Sequence, residues 1–598
     1  MKKSDFRKAV FIDLAVVTAL AVATALLTPA LVDPAFPLPA SDEKGQRAWL
    51  NAALFDQTMR SAVERYGSIQ GQNSFVDGGI PVGAYPTDGT LSPLSLALIH
   101  LNAVQAVRAK TYLAVLFGAA SLFLLARRAG AGRPAALAAA LLIPASGYVQ
   151  QRIAYSPLQL QVLFASLGLV AVSYGRCTLT FCLTAALLFA LGAMQSGSLI
   201  FFAPVAFALA ALVRGYGEGE GRKDALGALG LILMFGLLFS TIKWLPAVEL
   251  LWQHSLRSAA QEFLARNPVG LADRMESFIG LITPGPAWLA GPFFLLAATG
   301  SWAEGRRGRL SLMGLIFTFL AILPAAVPDT DGKTSAWMAV RPLSQPQSVA
   351  PIFALIVLGA LCALAFEKAL RFKKPVGYAL MTLFVAALFF SHFTKEKISG
   401  GELPAPVDMS KHQSPEEGKP QYYSVQLYNS RKAKTPISHH PTLFAMQQIG
   451  VTNALDLYDV KTRVSPKVKI RSQGDRTWRN RRYKGEAQVM HKRGEILEYN
   501  DFGNRIYVKV RTFKQKADLI LNRNYDAGWS AKNYEVSSLK GLAGVHFPEP
   551  GEYEVTLQYR PLKALYGAAV SGAALLFALI FLVVEWIVER RKNFPVDI

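Results

Sequence analysis

Runs of mostly apolar residues recur along this chain at about the 20-residue length an α-helix needs to cross the hydrocarbon core of a bilayer. They fall near 9–31, 109–126, 133–149, 157–174, 178–194, 198–213, 225–245, 285–302, 310–327, 349–366, 375–392 and 564–586. This spacing predicts a polytopic α-helical membrane protein of about 12 transmembrane helices, with the third and fifth runs short or interrupted. The first run is too long for a cleaved signal peptide and lacks a small-residue cleavage site. Composition agrees. Hydrophobic residues make up 52% of the 598 and charged residues 17%, whereas soluble proteins carry about 25% charged residues. A chain so apolar covers its surface with lipid, which sets aside a soluble enzyme, a disordered scaffold and a disulfide-rich secreted module. The cysteines Cys177, Cys182 and Cys362 lie in or beside apolar runs and imply no disulfide framework.

The net charge of +22 then becomes a question of sides. Basic clusters precede the first run (Lys2, Lys3, Arg7, Lys8) and follow the second (Arg127, Arg128, Arg133). Others lie at Arg214 to Lys223, Arg306 to Arg309, Lys368 to Lys374 and Arg590 to Lys592. All fall on one side of a twelve-span arrangement. The positive-inside rule therefore predicts a multi-pass membrane protein with both termini cytoplasmic. The opposite face receives a long first loop, 32–108, and a segment 393–562. This divides the chain into a transmembrane domain over 1–392, an extracytoplasmic domain over 393–562, and a last helix with a cytoplasmic tail over 563–598.

The segment 393–562 opens with a polar linker, Ser399 to Pro420, and then alternates apolar and polar residues at 422–427, 505–510 and 553–559. Period-two runs bounded by Gly, Pro and Asn predict half-buried antiparallel strands, and Pro550-Gly551 marks a turn into the last one. Residues 391–560 hold 28 Lys+Arg against 18 Asp+Glu, and 461–484 alone hold ten basic side chains against Asp475. A basic external face suits anionic glycan or lipid headgroups, although a solvated charged face has the same composition. Nucleic acid is not expected on this side of the membrane.

In the first loop, Trp49, Ala52, Ala53, Met59 and Val63 recur at helical spacing, a pattern suited to lying along the membrane surface. A run rich in Gly and Pro follows, Asp77-Gly78-Gly79-Ile80-Pro81 through Leu94, which predicts a defined loop. It lacks the Gly-Lys-Ser/Thr ending of a P-loop.

The order of these features resembles polytopic GT-C glycosyltransferases, and within them the YfhO-like bacterial membrane proteins. Three further stretches are similar: Trp244-Leu245-Pro246-Ala247-Val248-Glu249-Leu250-Leu251 with Ser255-Leu256-Arg257, then Val340-Arg341-Pro342, and Asn524 to Ala531 with Phe547 to Gly551. The resemblance spans almost the whole chain. It implies an inverting transfer of sugar from a polyprenyl-phosphate donor to a cell-envelope glycan, lipid or protein on the outer face. An acidic residue soon after the first helix would act as base. Asp42 takes that place through Asp42-x-x-x-Gln46, while a longer spacing to Gly67 keeps Glu43 and Asp56 as substitutes.

Such a transfer needs a carboxylate to accept the acceptor's proton and cations to stabilise the departing phosphate. Arg341 is the leading phosphate candidate, because a planar guanidinium fits phosphate oxygens; Arg257 and Arg152 follow. Glu249, Gly78, Gly79 and Pro81 would shape the site. Each has a plainer role available: solvated loop carboxylates, interfacial arginines, or an Arg257–Glu249 ion pair. No His/Cys ligand spacing is readable, and a divalent metal ion held between carboxylates and donor phosphate is the one cofactor left open. Two alternatives stand beside the transferase, an envelope-lipid or glycan transporter and a non-catalytic assembly scaffold. Sparse charge within the spans weighs against transport.

Overall fold

The computed structural model describes residues 3–33, 43–73, 80–84, 88–155, 157–173, 178–195, 199–215, 219–253, 295–301, 308–322, 349–398, 462–464, 477–479, 487–539 and 542–593. Its helices are α1 (Lys3–Leu27), α2 (Glu43–Tyr66), α3 (Pro93–Ala97), α4 (Ala103–Ala129), α5 (Arg133–Ala140), α6 (Gly147–Tyr155) and α7 (Ser166–Ser173). After them come α8 (Leu179–Gln195), α9 (Leu199–Gly215), α10 (Gly219–Phe239), α11 (Thr241–Gln253), α12 (Arg309–Ile322), α13 (Val349–Phe372), α14 (Lys374–Ile398) and α15 (Leu562–Asn593). Among the described residues, three helices are long and apolar enough to cross a membrane: Ala103–Ala129, Pro351–Phe372 and Leu562–Val588. The pair Arg222–Phe239 and Thr241–Val248 meets the same criterion only when taken together, bent by 70°, the shape of a broken span or a re-entrant loop. Six shorter apolar helices occupy other predicted runs, so the count of twelve is not reached by length among these residues.

Local sequence explains the boundaries. Helix α4 opens with a capping box, in which the Asn102 side chain accepts the Gln105 amide and the Gln105 side chain accepts the Asn102 amide. It closes on Gly130, which adopts a left-handed φ of 107°. The run at 133–149 is interrupted between α5 and α6, where Pro144 lies in a separate short turn. The run at 225–245 breaks at Ser240, whose hydroxyl donates to the Gly236 carbonyl at 2.7 Å and accepts the Trp244 indole N–H at 3.0 Å. Helices pack closely where one partner lacks a side chain. Gly168 faces the Phe207 ring and Gly236 faces Phe189, and any larger residue would collide there.

The amphipathic helix in the first loop forms as α2. Its apolar face does not lie on lipid. Trp49, Ala53 and Met59 are buried, and the Trp49 indole donates to the Ile153 carbonyl on α6 at 2.9 Å. The expectation of a membrane-surface helix is corrected accordingly: the stripe covers other helices.

Strands β5 (Ala487–Val489) to β12 (Gly551–Tyr559) make two four-stranded antiparallel sheets. One runs β10 (Val536–Leu539), β11 (Leu542–Phe547), β8 (Ala517–Asn524), β5; the other runs β6 (Gly494–Asp501), β7 (Arg505–Thr512), β12, β9 (Trp529–Ala531). Their inner faces share one core, with Ile506, Val508 and Val510 from β7 meeting Leu519 and Leu521 from β8 and Val545 and Phe547 from β11. The predicted strands at 505–510 and 553–559 are β7 and β12, in register from Gly551 opposite Thr512 to Gln558 opposite Arg505. On the outer face of that sheet, Arg511 reaches Glu495 at 3.2 Å and Glu552 at 2.6 Å, holding the Glu552 carboxyl below the usual range. Two short pairs complete the strands, β1 (Gln72–Asn73) with β2 (Ile80–Pro81) and β3 (Thr462–Val464) with β4 (Thr477–Arg479). The predicted linker 399–420 and strand 422–427 lie outside the described residues.

The first loop is tied to the β6–β7 turn. Tyr66, the last residue of α2, donates its hydroxyl to Asp501 at 3.2 Å, and Asp501 also pairs with buried Arg523. The Asn504 amide accepts the Gly71 N–H and donates to the Ile69 carbonyl at 3.4 Å. Gly71 lies so close to Pro561 and Tyr559 that a Cβ would sit 2.8 Å from the proline ring. Asn504→Ala is expected to speed amide exchange at residues 69–72 in the full-length protein while the β7 and β12 amides keep their protection. Unchanged exchange at Gly71 would show that Asn504 does not hold this loop.

Candidate functional site

The loop that follows α2 is built around a side chain the sequence did not single out. Asp88 accepts the Gly83 N–H at 2.7 Å and the Thr90 N–H at 2.9 Å, so both oxygens are used to close the turn. Its carbonyl accepts the ammonium of Lys243, on α11 just beyond the Ser240 break. Next to it, Gly89 leaves room for the Gln195 amide at the end of α8. That amide donates to the Ser95 hydroxyl at 3.1 Å. Ser95, on α3, also accepts Lys110 from α4 at 2.8 Å. Lys110 in turn reaches both Asp56 oxygens, at 2.6 and 2.8 Å. Asp56, Asp88, Ser95, Lys110, Gln195 and Lys243 are each 4% exposed or less.

This chain of contacts joins α2, α3, α4, α8 and α11 to the loop between β2 and α3. Two of its members are lysines inside predicted apolar spans. Such a charge is costly unless paired, and here each one is: Lys110 by a carboxylate, Lys243 by a carbonyl beside a second carboxylate. A lysine within an otherwise apolar run is itself a sequence signal of a functional or organising position. That signal was present at Lys110 and Lys243. Nearby, Arg60 donates to the Leu98 carbonyl at 3.1 Å; burial draws its guanidinium below the ordinary value, opposed by Asp56 and Glu64.

Of the predicted site residues, Asp56 has the fullest description. Both Asp56 oxygens receive the Lys110 ammonium, so this carboxylate ties α2 to α4. Glu43 is the first residue of α2, and Trp49 stands one face along from it, about 9 Å along the helix axis. Trp49 bonds to residue 153, next to Arg152. Arg152 is buried, with its guanidinium 5.2 Å from the centre of the Tyr148 ring. The contact between α2 and α6 therefore lies at Trp49 and Ile153, one residue from Arg152. Pro81 stands in β2, opposite Gln72, in the clasp that shapes the loop. Glu249 lies on α11. Asp42, Arg341, Arg257, Gly78 and Gly79 lie outside the described residues. No group of three or more His, Cys, Asp or Glu side chains suited to a metal gathers among the described residues. The Asp56 carboxylate, committed to an ammonium, does not fit a metal ligand.

Removing one partner of a buried pair strands the other charge, at a cost of about 3–5 kcal/mol. Lys110→Met is therefore expected to lower the thermal unfolding midpoint of the detergent-solubilised protein markedly. Adding Asp56→Leu should recover most of that loss. A double variant no better than Lys110→Met would mean that the lysine stabilises through contacts other than Asp56.

No protein family model matches the chain, and no curated protein matches it. Among solved structures, ArnT from Cupriavidus metallidurans is similar in two states. The apo form is 14% identical, covering 61% of this chain and 62% of its own at a TM-score of 0.39. The form bound to undecaprenyl phosphate is 10% identical, covering 74% and 72% at 0.41. The archaeal oligosaccharyltransferase AglB from Archaeoglobus fulgidus, in complex with an inhibitory peptide and a dolichol-phosphate, is 12% identical over 70% of this chain and 59% of its own, at 0.37. The arabinofuranosyltransferase AftD from Mycobacteria is 16% identical over 63% and 27%, at 0.37. The chain therefore spans less than two thirds of apo ArnT and of AglB. At scores this low the likeness carries no function across.

Proposed function

We propose that this protein is a membrane-embedded inverting glycosyltransferase that moves a sugar from a polyprenyl-phosphate donor to a cell-envelope acceptor on the extracytoplasmic side. The observation that supports it best is the fixed position of α2. A helix whose first residue is Glu43, directly after Asp42, is pinned at Trp49, Asp56 and Tyr66. A carboxylate at its start would stand about 9 Å along the axis from the Trp49 contact with α6, the helix that carries Arg152. The donor's lipid tail stays in the bilayer, so a site at the boundary between apolar helices and a structured external loop suits this chemistry.

In the reaction, Asp42 or Glu43 takes the proton from the acceptor hydroxyl as its oxygen bonds to the anomeric carbon. The bond from that carbon to the phosphate oxygen breaks on the opposite face, and the lipid phosphate leaves with the electron pair. Arg152, together with Arg341 and Arg257, would stabilise the charge on that phosphate. Asp56 and Lys110 hold the helix while this happens and exchange no proton with substrate. The ordered motifs of the sequence support the same reading, within the YfhO-like group of GT-C enzymes and with about twelve spans.

Singly replacing the three acids separates their roles. Asp42→Asn or Glu43→Gln is expected to lower transfer by about 10²–10⁴-fold, read as loss of a specific sugar from the envelope glycans of cells expressing the variant. Asp56→Asn should reduce the amount of folded protein more than the activity per folded molecule. Wild-type glycan profiles in both Asp42→Asn and Glu43→Gln would sink the transferase reading. Energy-dependent movement of lipid in liposomes without a covalent product would favour the transporter.

A further inference from the structure

The sandwich of β5–β12 has two exposed phenylalanines near opposite ends of strand β7. Phe502, in the β6–β7 turn, is 60% exposed, and Phe513, just past the other end of the strand, is 54% exposed. Ten residues separate them, and at strand rise the eight residues of β7 alone span roughly 25 Å. The end that carries Phe502 is the end from which the chain passes into α15. The Tyr559 N–H donates to the Asn504 carbonyl at 2.8 Å, so the β6–β7 turn lies beside the last residue of β12. The β8–β9 loop lies on the same end: its Asp526 carboxylate accepts the Tyr559 hydroxyl at 2.9 Å, and its Gly528 carbonyl accepts the Arg560 N–H at 2.9 Å. That loop exposes Tyr525. Two residues beyond Arg560, α15 begins with Leu562, and Leu562 and Tyr566 on its first turns are exposed as well.

Two arginines stand at this end beside Asp501 and Asp526. Arg505 and Arg560 are exposed and stand near each other, Arg505 opposite Gln558 in the sheet and Arg560 donating to the Gln558 side chain at 3.3 Å. Aromatic tips with arginines between them, at the level where an apolar helix starts, match the layered chemistry of a bilayer surface. Aromatic rings favour the zone between headgroups and acyl chains, and guanidinium groups favour the phosphates just above it. Helix α15 supplies the depth marker: Leu562–Val588 is long and apolar enough to cross a membrane, and many of its large apolar side chains are exposed.

We propose that the β6–β7 turn and the β8–β9 loop form a lipid-contacting foot, which seats Phe502 and Tyr525 in the headgroup layer of the outer leaflet with Arg505 and Arg560 on lipid phosphates. The foot is also the part of the sandwich that binds the first loop, through Asp501 and Asn504. Lipid contact and loop position are therefore set by one turn. The proposal does not depend on the transfer reaction, only on α15 crossing the membrane.

The test uses the full chain in nanodiscs of phosphatidylcholine and phosphatidylglycerol, with Cys177, Cys182 and Cys362 replaced. An environment-sensitive fluorophore is attached to Phe502→Cys, Tyr525→Cys or Phe513→Cys, and doxyl-labelled lipids serve as quencher. Labels at 502 and 525 are expected to emit at shorter wavelength and to be quenched severalfold more than the label at 513. Adding Arg505→Gln and Arg560→Gln to the Phe502→Cys chain should lower that quenching. Equal quenching at 502, 525 and 513 would overturn the foot. A blue-shifted but unquenched label at 502 would also overturn it, by assigning the face to protein in place of lipid.

Discussion

The contact between Asp56 and Lys110 sets how α2 seats against the apolar helices. Two opposite charges, nearly excluded from solvent, meet at 2.6 Å between a loop helix and an apolar helix. A buried pair of this kind contributes little net stability, because desolvation of both ions offsets most of their attraction. Its effect is on register. Sliding α2 along α4 by one turn would leave two uncompensated charges in an apolar setting, a state far more costly than any regular repacking of Ala and Leu. The alanine-rich surfaces around it have no such discrimination, since one small apolar side chain replaces another with little change in energy. One polar contact therefore fixes what the apolar packing leaves loose.

From that point the constraint spreads in both directions. Ser95 and Gln195 carry it to α8, and the turn closed by Asp88 carries it to Lys243 on α11. Lys243 lies three residues beyond Ser240, on the far side of the 70° bend between α10 and α11. Helix α15 then packs on the bend, with the Ser571 hydroxyl donating to the Leu238 carbonyl at 3.0 Å and accepting the Ile242 N–H at 3.1 Å. Backbone groups exposed by the bend are satisfied by the helix that leaves the β sandwich.

Periodicity made much of this legible in advance. The 3.6-residue stripe of Trp49, Ala53 and Met59 predicts α2, and the alternation at 505–510 and 553–559 predicts β7 and β12. A stripe reports that a face is buried but not by what, which is why α2 was expected on lipid and lies on protein. Apolar content also could not distinguish a straight span from a broken one. The break coincides with Ser240 and Thr241, whose hydroxyls bond the Gly236 and Leu237 carbonyls, and neither residue looks unusual among its neighbours. The partners of Lys110 and Lys243 come from positions 54 and 155 residues away, so no local pattern pairs them, although the lysines themselves stood out against their apolar surroundings.

Three supports on one helix have a consequence that a single support would not. Trp49, Asp56 and Tyr66 are spread along α2, so the helix can neither rotate nor slide without breaking at least one contact of a different kind. The last of them belongs to the β sandwich through Asp501 and Arg523, while the first belongs to α6 beside Arg152. The 24 residues of α2 are thus tied at one end to the sandwich and, nearer the other end, to α6. Fraying at its ends is the cheapest motion open to a helix, and the contacts of Trp49 and Tyr66 oppose it from both sides of the buried Asp56–Lys110 pair.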